Sequence, residues 1–247
     1  MPLEVIVLGV GDAFSERYHP SALLLRCDGF TLAVDCPDMY RAALRRAGAR
    51  AGLALSVGAV DAFLITHVHG DHVNGLEAVA FYTHYVERRR VMLLGGPALL
   101  ATLWEQRLRA AMGRLWDGQT FREMTQDDYF DARPLSATGP TEVGPFRITT
   151  RATRHHVPTT ALLVEAAGRR LGYSSDTAFD PELIDFLAPA DLVIHETNLG
   201  PAHTPYGDLL RLAPALRARL RLIHYPDELD PAASAIACLH EGEVLHV

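Results

Sequence analysis

Residues 66–72 read Thr-His-Val-His-Gly-Asp-His, directly after the apolar run Ala62-Phe-Leu-Ile65. A short apolar run closed by a turn reads as a buried strand, and the segment after His72 has helical spacing. Polar side chains at such a junction sit on the C-terminal edge of a sheet, where open α/β folds gather their sites. His67 and His69 alternate, so they face one side of an extended segment. Asp71 and His72 follow where the chain turns and can face a second centre. Imidazole and carboxylate donors packed this densely suit a borderline divalent metal, zinc first, with iron or manganese also compatible.

The remaining pattern places this junction in a layered α/β chain. Strands are expected at Leu3–Val10, Leu23–Arg26, Thr31–Val34, Val60–Ile65 and Val91–Leu94. Five more are expected at Phe146–Thr153, Ala161–Val164, Leu171–Ser174, Leu192–Ile194 and Leu220–Ile223. Helices are expected near Met39–Ala49, from His72 to about Tyr85, and over Pro97–Trp116, where proline opens the segment. The 247 residues fit one large α/β domain spanning 1–247, with the least regular stretch, about 82–135, as a possible cap. The opening MPLEVIVLGVGD reads as a first strand, and no apolar run approaches the roughly 20 residues of a membrane span.

Composition removes several chemistries. All 23 basic residues are arginine, so Schiff-base catalysis, pyridoxal-phosphate attachment and a phosphate-binding loop lysine are excluded. The net charge of −7 argues against a broad nucleic-acid-coating surface. Three scattered cysteines make no disulfide framework, and a reducing cytoplasm is the expected setting.

A metal cluster needs partners elsewhere, each a polar ligand type just beyond an apolar strand. Four places qualify: Ile148 to His155, Leu171 to Asp176, Leu192 to His195 and Leu220 to His224. With these in view, the chain resembles the metallo-β-lactamase-fold hydrolases from its Leu8-Gly-Val-Gly11 strand end to His224. The resemblance implies a four-layer αββα sandwich with two divalent metals between the sheets. It implies His67, His69 and His155 on one metal, Asp71, His72 and His224 on the other, and Asp176 bridging. His155 is preferred to its neighbour His156 because relatives carry a proline three residues on and a small residue six on, matching Pro158 and Ala161. A strand bulge would exchange the two.

The later motifs resemble the ribonuclease Z-like, phosphodiesterase branch. His195-Glu-Thr197 is similar to its His-Glu-Ala-Thr segment, His203-Thr204 to its His-Ser-Thr, and Ile223-His-Tyr225 to its Thr-His-Phe ending. By this resemblance His195 is the expected general acid and Asp71 the second catalytic group. Glu196 and His203 are the expected supporting partners. The branch's transfer-RNA-binding arm has no room in the 21 positions from His155 to Asp176, where two strands turn at Gly168. Its basic signature after the first strand is replaced by Ser15-Glu-Arg-Tyr-His-Pro-Ser21. Transfer RNA is therefore not the expected substrate.

The expected activity is hydrolysis of a small phosphodiester by a metal-bridging hydroxide. Carboxylic esters, sulfate esters, lactones and thioesters fit the same site, and a non-catalytic carrier on this fold is the rival from another class. Dimerisation follows from the resemblance alone. Arg17 is placed near an anionic substrate, and Trp116, Phe121, Tyr129 and Phe130 are placed around a pocket. The stripe Trp104, Leu108, Ala111 and Leu115 reads as one helix face, and Cys36, beside Asp35, as packing.

Overall fold

A computed structural model describes residues 2–247. The first strands are β1 (Glu4–Gly9), β2 (Ala22–Cys27), β3 (Phe30–Val34), β4 (Ala62–Ile65) and β5 (Val91–Gly95). A small hairpin of β6 (Arg114–Trp116) and β7 (Phe121–Glu123) precedes β8 (Phe130–Pro134). The second half carries β9 (Thr141–Val143), β10 (Phe146–Ala152), β11 (Thr160–Ala166) and β12 (Arg169–Tyr173). It ends with β13 (Leu192–Glu196), β14 (Leu220–Ile223) and β15 (Val244–His246). One sheet runs β15-β1-β2-β3-β4-β5-β8 and the other β14-β13-β12-β11-β10-β9.

The period-2 alternation of the strands builds the layers. In the first sheet Val5, Val7, Leu23, Leu25, Leu32, Val34 and Leu64 share one core with the second sheet's Phe146, Ile148, Leu162 and Val164. Their neighbours Ile6, Leu8, Leu24, Ala33, Phe63 and Ile65 pack instead on Tyr40 and Leu44 of the helix Tyr40–Ala51, and on Leu76 and Val79 of the helix Leu76–Tyr82. Beyond the second sheet lies the helix Pro181–Leu187. There a Cβ on Gly172 would stand 3.2 Å from Leu187, so the glycine permits close strand–helix packing. The layers are therefore helix, sheet, sheet and helix.

Strand direction decides where the layers open. β3, β4, β5 and β8 are mutually parallel, as are β12, β13 and β14, and β10 runs the same way as β12 through antiparallel β11. The C-terminal ends of β4, β10, β12, β13 and β14 are followed by His67, His155, Asp176, Asn198 and His224. A backbone hydrogen bond from Thr160 to the Thr66 carbonyl joins the sheets there.

Two expectations need correction. The Pro97–Trp116 segment is not one helix: Pro97–Leu103 passes through a π turn at Trp104–Leu108 and stops at Met112, before the β6–β7 hairpin. The extra residue in a π turn rotates the buried face, so Trp104 and Leu108 continue to Met112 while Ala111 is exposed. The stretch 82–135 opens with the π turn Thr83–Glu87 and includes β5 and β8, which pair with each other in the first sheet. Tyr129 and Phe130 are fully buried there in the helix-side core, whereas Trp116 and Phe121 are exposed on the hairpin. Among the described residues no helix is long and apolar enough to cross a membrane.

Candidate metal centre

β4 delivers Thr66 and His67 fully buried, and the helix Gly70–Val73 begins immediately after His69. The turn carries the four expected donors to the sheet edge. His67, His69, His155 and Asp176 form one cluster, while Asp71, His72, Asp176 and His224 form a second that shares Asp176. The Asp176 carboxylate holds Oδ2 3.7 Å from His67 Nε2, 3.8 Å from His155 Nε2 and 3.4 Å from His224 Nε2. Its Oδ1 lies 3.4 Å from His72 Nε2. Asp71 Oδ2 stands 3.3 Å from His72 Nε2 and 3.2 Å from His224 Nε2.

These separations suit metal ions. A tetrahedral ion with ligands at about 2.1 Å holds its donor atoms about 3.4 Å apart. His67 Nε2, His72 Nε2 and Asp176 Oδ1 are moreover buried with no hydrogen-bond partner. Buried polar atoms of this kind are costly unless something satisfies them, and all three point into the two clusters. His155, with its side chain 1 % exposed, belongs to the first cluster, while the adjacent His156 is exposed and outside it.

The outer partners fix which nitrogen each ring presents. His72 Nδ1 donates to Asp35 Oδ2 at 2.8 Å, which leaves Nε2 as the donor to a metal. Asp35 also accepts from the Thr66 amide and hydroxyl, and that hydroxyl lies 3.0 Å from His67 Nδ1. His155 Nδ1 donates to the Ala202 carbonyl at 3.1 Å. Asp35, Ser175 and His224 all adopt positive φ, of 63°, 52° and 56°. Strain of roughly 1 kcal/mol or more at each such residue persists only where the surroundings fix it.

Charge follows this geometry. Burial lowers His67 well below the usual imidazole range and His155 to about 4, so both rings are neutral and able to ligate. Burial works to raise Asp71 and Asp176, but it is outweighed. The His224 and His72 partners hold both carboxyls below their usual range, and hence ionised.

A third group adjoins the second cluster. His203 Nδ1 donates to Glu196 Oε1 at 2.9 Å, and its ring stacks on His224 with centroids 5.4 Å apart. Glu196 also accepts from the Thr177 amide at 2.8 Å. His195 is not brought to these groups. It precedes Glu196 on β13 and so faces the other side of the strand, buried, with Nδ1 bonded to the Glu196 carbonyl at 2.7 Å. Arg17 is held by the Asp227 carbonyl at 2.8 Å.

Sequence reasoning missed Asp35, Thr66 and Asn198 as parts of the site. Asp35 carried a signal, being an acid at the end of an apolar strand, but its neighbour Cys36 drew the packing interpretation. Asn198 Nδ2 lies 3.4 Å from His224 Nδ1, a contact that spans 26 residues and leaves no local trace.

Known proteins share this fold. The metallo-β-lactamase fold protein YhfI from Bacillus subtilis matches with a TM-score of 0.81 and 19% identity, covering 100% of both chains. A diphosphatase from the PhnP family matches with a TM-score of 0.74 and 15% identity, covering 99% of this chain and 98% of its own. The short form of human tRNase Z matches with a TM-score of 0.66 and 20% identity, covering 98% of each. The fold is that of the metallo-β-lactamases. In sequence, the Anti-Pycsar protein Apyc1 of Paenibacillus sp. (strain J14) is 32% identical over 236 residues, 93% of this chain and 92% of the relative. The family model described as Anti-Pycsar protein Apyc1 matches residues 3–241. The chain belongs to the Anti-Pycsar protein Apyc1 family.

Proposed function

We propose that this protein is a metal-dependent phosphodiesterase that holds two divalent cations and hydrolyses a small phosphodiester. The observation that carries the proposal is the pair of donor clusters sharing Asp176, with three buried donor atoms unsatisfied. His67, His69 and His155 would hold one ion, Asp71, His72 and His224 the other, and Asp176 both. Zinc fits the nitrogen-rich first set best, and manganese or iron the second, more oxygen-rich one. Bound metals supply an activated water near neutral pH and neutralise phosphoryl charge.

The chain's own groups do the rest. Asp71, kept ionised by His72 and His224, would orient that water. His203 is the better proton donor to the leaving oxygen than His195, because its ring adjoins His224 and His155 while Glu196 fixes its Nδ1. A placed general acid contributes roughly 10²–10⁴-fold. A small substrate is supported by the hairpin of β11 and β12 in the position of a nucleic-acid arm, and by the net charge of −7.

The experiment is hydrolysis of an activated bis-aryl phosphodiester by chelator-stripped protein and by the same protein reloaded with zinc or manganese. Turnover that disappears on stripping and returns on reloading is expected. Two bound metals without turnover of any phosphodiester would remove the proposal in favour of another ester class.

A further inference from the structure

The helix Tyr40–Ala51 carries charge where a helix tolerates it least. Residues 40–60 hold four arginines and no acidic residue, in a chain whose net charge is −7. Arg50 pairs with Glu241, and Arg46 meets His19 Nε2 at 3.1 Å, so both are engaged by neighbouring segments. Arg41 and Arg45 have no carboxylate or carbonyl partner among the described residues. They stand one turn apart as a like-charge pair, and Arg41 sits in the first turn, where the helix dipole disfavours a cation. That turn holds no acidic residue and no side chain caps it. Both placements weaken the helix, and a bound anion would reverse both effects.

The two arginines share a cavity. A hollow of about 290 Å³ lies between this helix, the loop before β4 and Tyr82, and its walls include Leu44, Leu55 and Ser56. The Arg41 guanidinium rests over the Tyr82 ring, with Cζ 3.8 Å from the centroid. This cation–π contact holds the guanidinium in place and leaves its N–H edges free for a ligand. Ser56 adds a hydroxyl donor, while Leu44 and Leu55 form an apolar wall. A second hollow of about 220 Å³ adjoins across Leu44, Leu55 and Ser56, with Leu24 and Leu53 extending the apolar surface. Glu87, which reaches the loop at Gly58, is already bound by Arg89 Nε at 2.7 Å and does not neutralise the pair. No residue of the two metal-donor clusters lines either hollow.

We infer that this cavity is a second ligand site, apart from the metal centre, for a small amphiphilic acid. Arg41, Arg45 and Ser56 hold its carboxylate or phosphate-monoester head, and a short hydrocarbon body lies against Leu44 and Leu55. Charge complementarity selects the head, since guanidinium forks match planar carboxylate and phosphate oxygens. The apolar wall selects the body. An inorganic anion leaves that wall uncovered, and a neutral alkyl chain leaves both guanidinia unpaired, so each binds more weakly. The site does not depend on the phosphodiesterase proposal.

The test is calorimetric binding of octanoate, octyl phosphate, octanol and acetate to the metal-loaded full chain. Octanoate or octyl phosphate should bind at least about tenfold more tightly than octanol and acetate, the scale of hydrogen bonds to a charged group. The tighter of the two identifies the head group. Arg41→Gln/Arg45→Gln, at exposed positions, should remove that advantage over octanol. The preferred acid should also raise the thermal midpoint of wild type and leave that of the double variant unchanged. An anion held by the metal centre would bind equally in both proteins, so an acid that binds the double variant as tightly as wild type overturns the site. Octanol binding wild type as tightly as the acids, or no binding of either acid, overturns it as well.

Discussion

The Asp35 carboxylate meets His72 at 2.8 Å, on the ring nitrogen opposite the one facing Asp71 and Asp176. Both residues are wholly buried, and Asp35 also takes the amide and hydroxyl of Thr66. One acid at the end of β3 therefore orients two successive parts of the His-rich turn. Outer partners of this kind typically contribute 10–100-fold in metal affinity. Asp35→Asn should weaken metal binding by about that factor in chelator competition while leaving the far-ultraviolet circular dichroism unchanged. Unaltered affinity would show that packing alone sets the ring.

The turn is also supported from behind. Gly75 donates its amide to the Cys36 carbonyl at 2.8 Å, and Cys36 donates to that of His72 at 2.8 Å. A Cβ on Gly75 would lie 2.2 Å from the Pro37 carbonyl oxygen, so backbone must move. Overpacking of this sort costs about 1–3 kcal/mol. Gly75→Ala should lower the denaturant midpoint accordingly and loosen metal binding as well. A variant as stable and as metal-rich as wild type would mean that the 36–37 segment yields freely.

Asp176 is the one residue common to both clusters. Asp176→Ala should remove at least one metal equivalent as counted by elemental analysis, with the secondary structure retained. Two equivalents in the variant would contradict a shared ligand.

Roles for the two histidines around Glu196 separate by leaving group. His203→Ala should slow diesters with poor leaving groups by roughly 10²-fold or more, with little effect on a nitrophenolate, because only a poor leaving group needs the proton. His195→Gln should affect both alike and weakly. Equal losses in His203→Ala across the series would exclude it as the acid.

His195 instead makes the fold sensitive to acid. Burial pushes its imidazole down to about 4, against an ordinary value near 6.5, despite the hydrogen bond to the Glu196 carbonyl. Below pH 6.5 the unfolded chain takes up a proton that the folded ring refuses. Its stabilising contribution is thus complete above pH 6.5 and falls as pH drops toward 4, by about 1.4 kcal/mol per unit. In metal-stripped protein, His195→Gln should flatten the decline in urea midpoint between pH 6.5 and 5 relative to wild type. Parallel declines would place the acid sensitivity elsewhere.

Much of this was legible because the relevant signals are local. The apolar runs of β1 to β5 and β10 to β14 mark strands without reference to neighbours, and Thr66–His72 holds four donors in one turn. His155, Asp176 and His224 stand out in the sequence because each follows a strand end. The π turn at Trp104 was not legible, since an inserted residue changes the buried face without changing composition. The short β6, β7, β9 and β15 were missed because three-residue strands carry too little periodicity. The sequence does not separate His195 from Glu196 and His203, because Glu196, one residue on, takes the opposite face of β13, and only its contact with His203 shows which side meets the donor clusters.

The most direct measurement sets metal content and bis-aryl phosphodiester turnover side by side in wild type and Asp71→Ala. The account predicts two equivalents and metal-dependent turnover in wild type, with turnover reduced by at least about 10²-fold in the variant, the scale of a lost general acid–base contribution. Wild-type turnover that persists in Asp71→Ala, or that survives complete removal of metal, would contradict it.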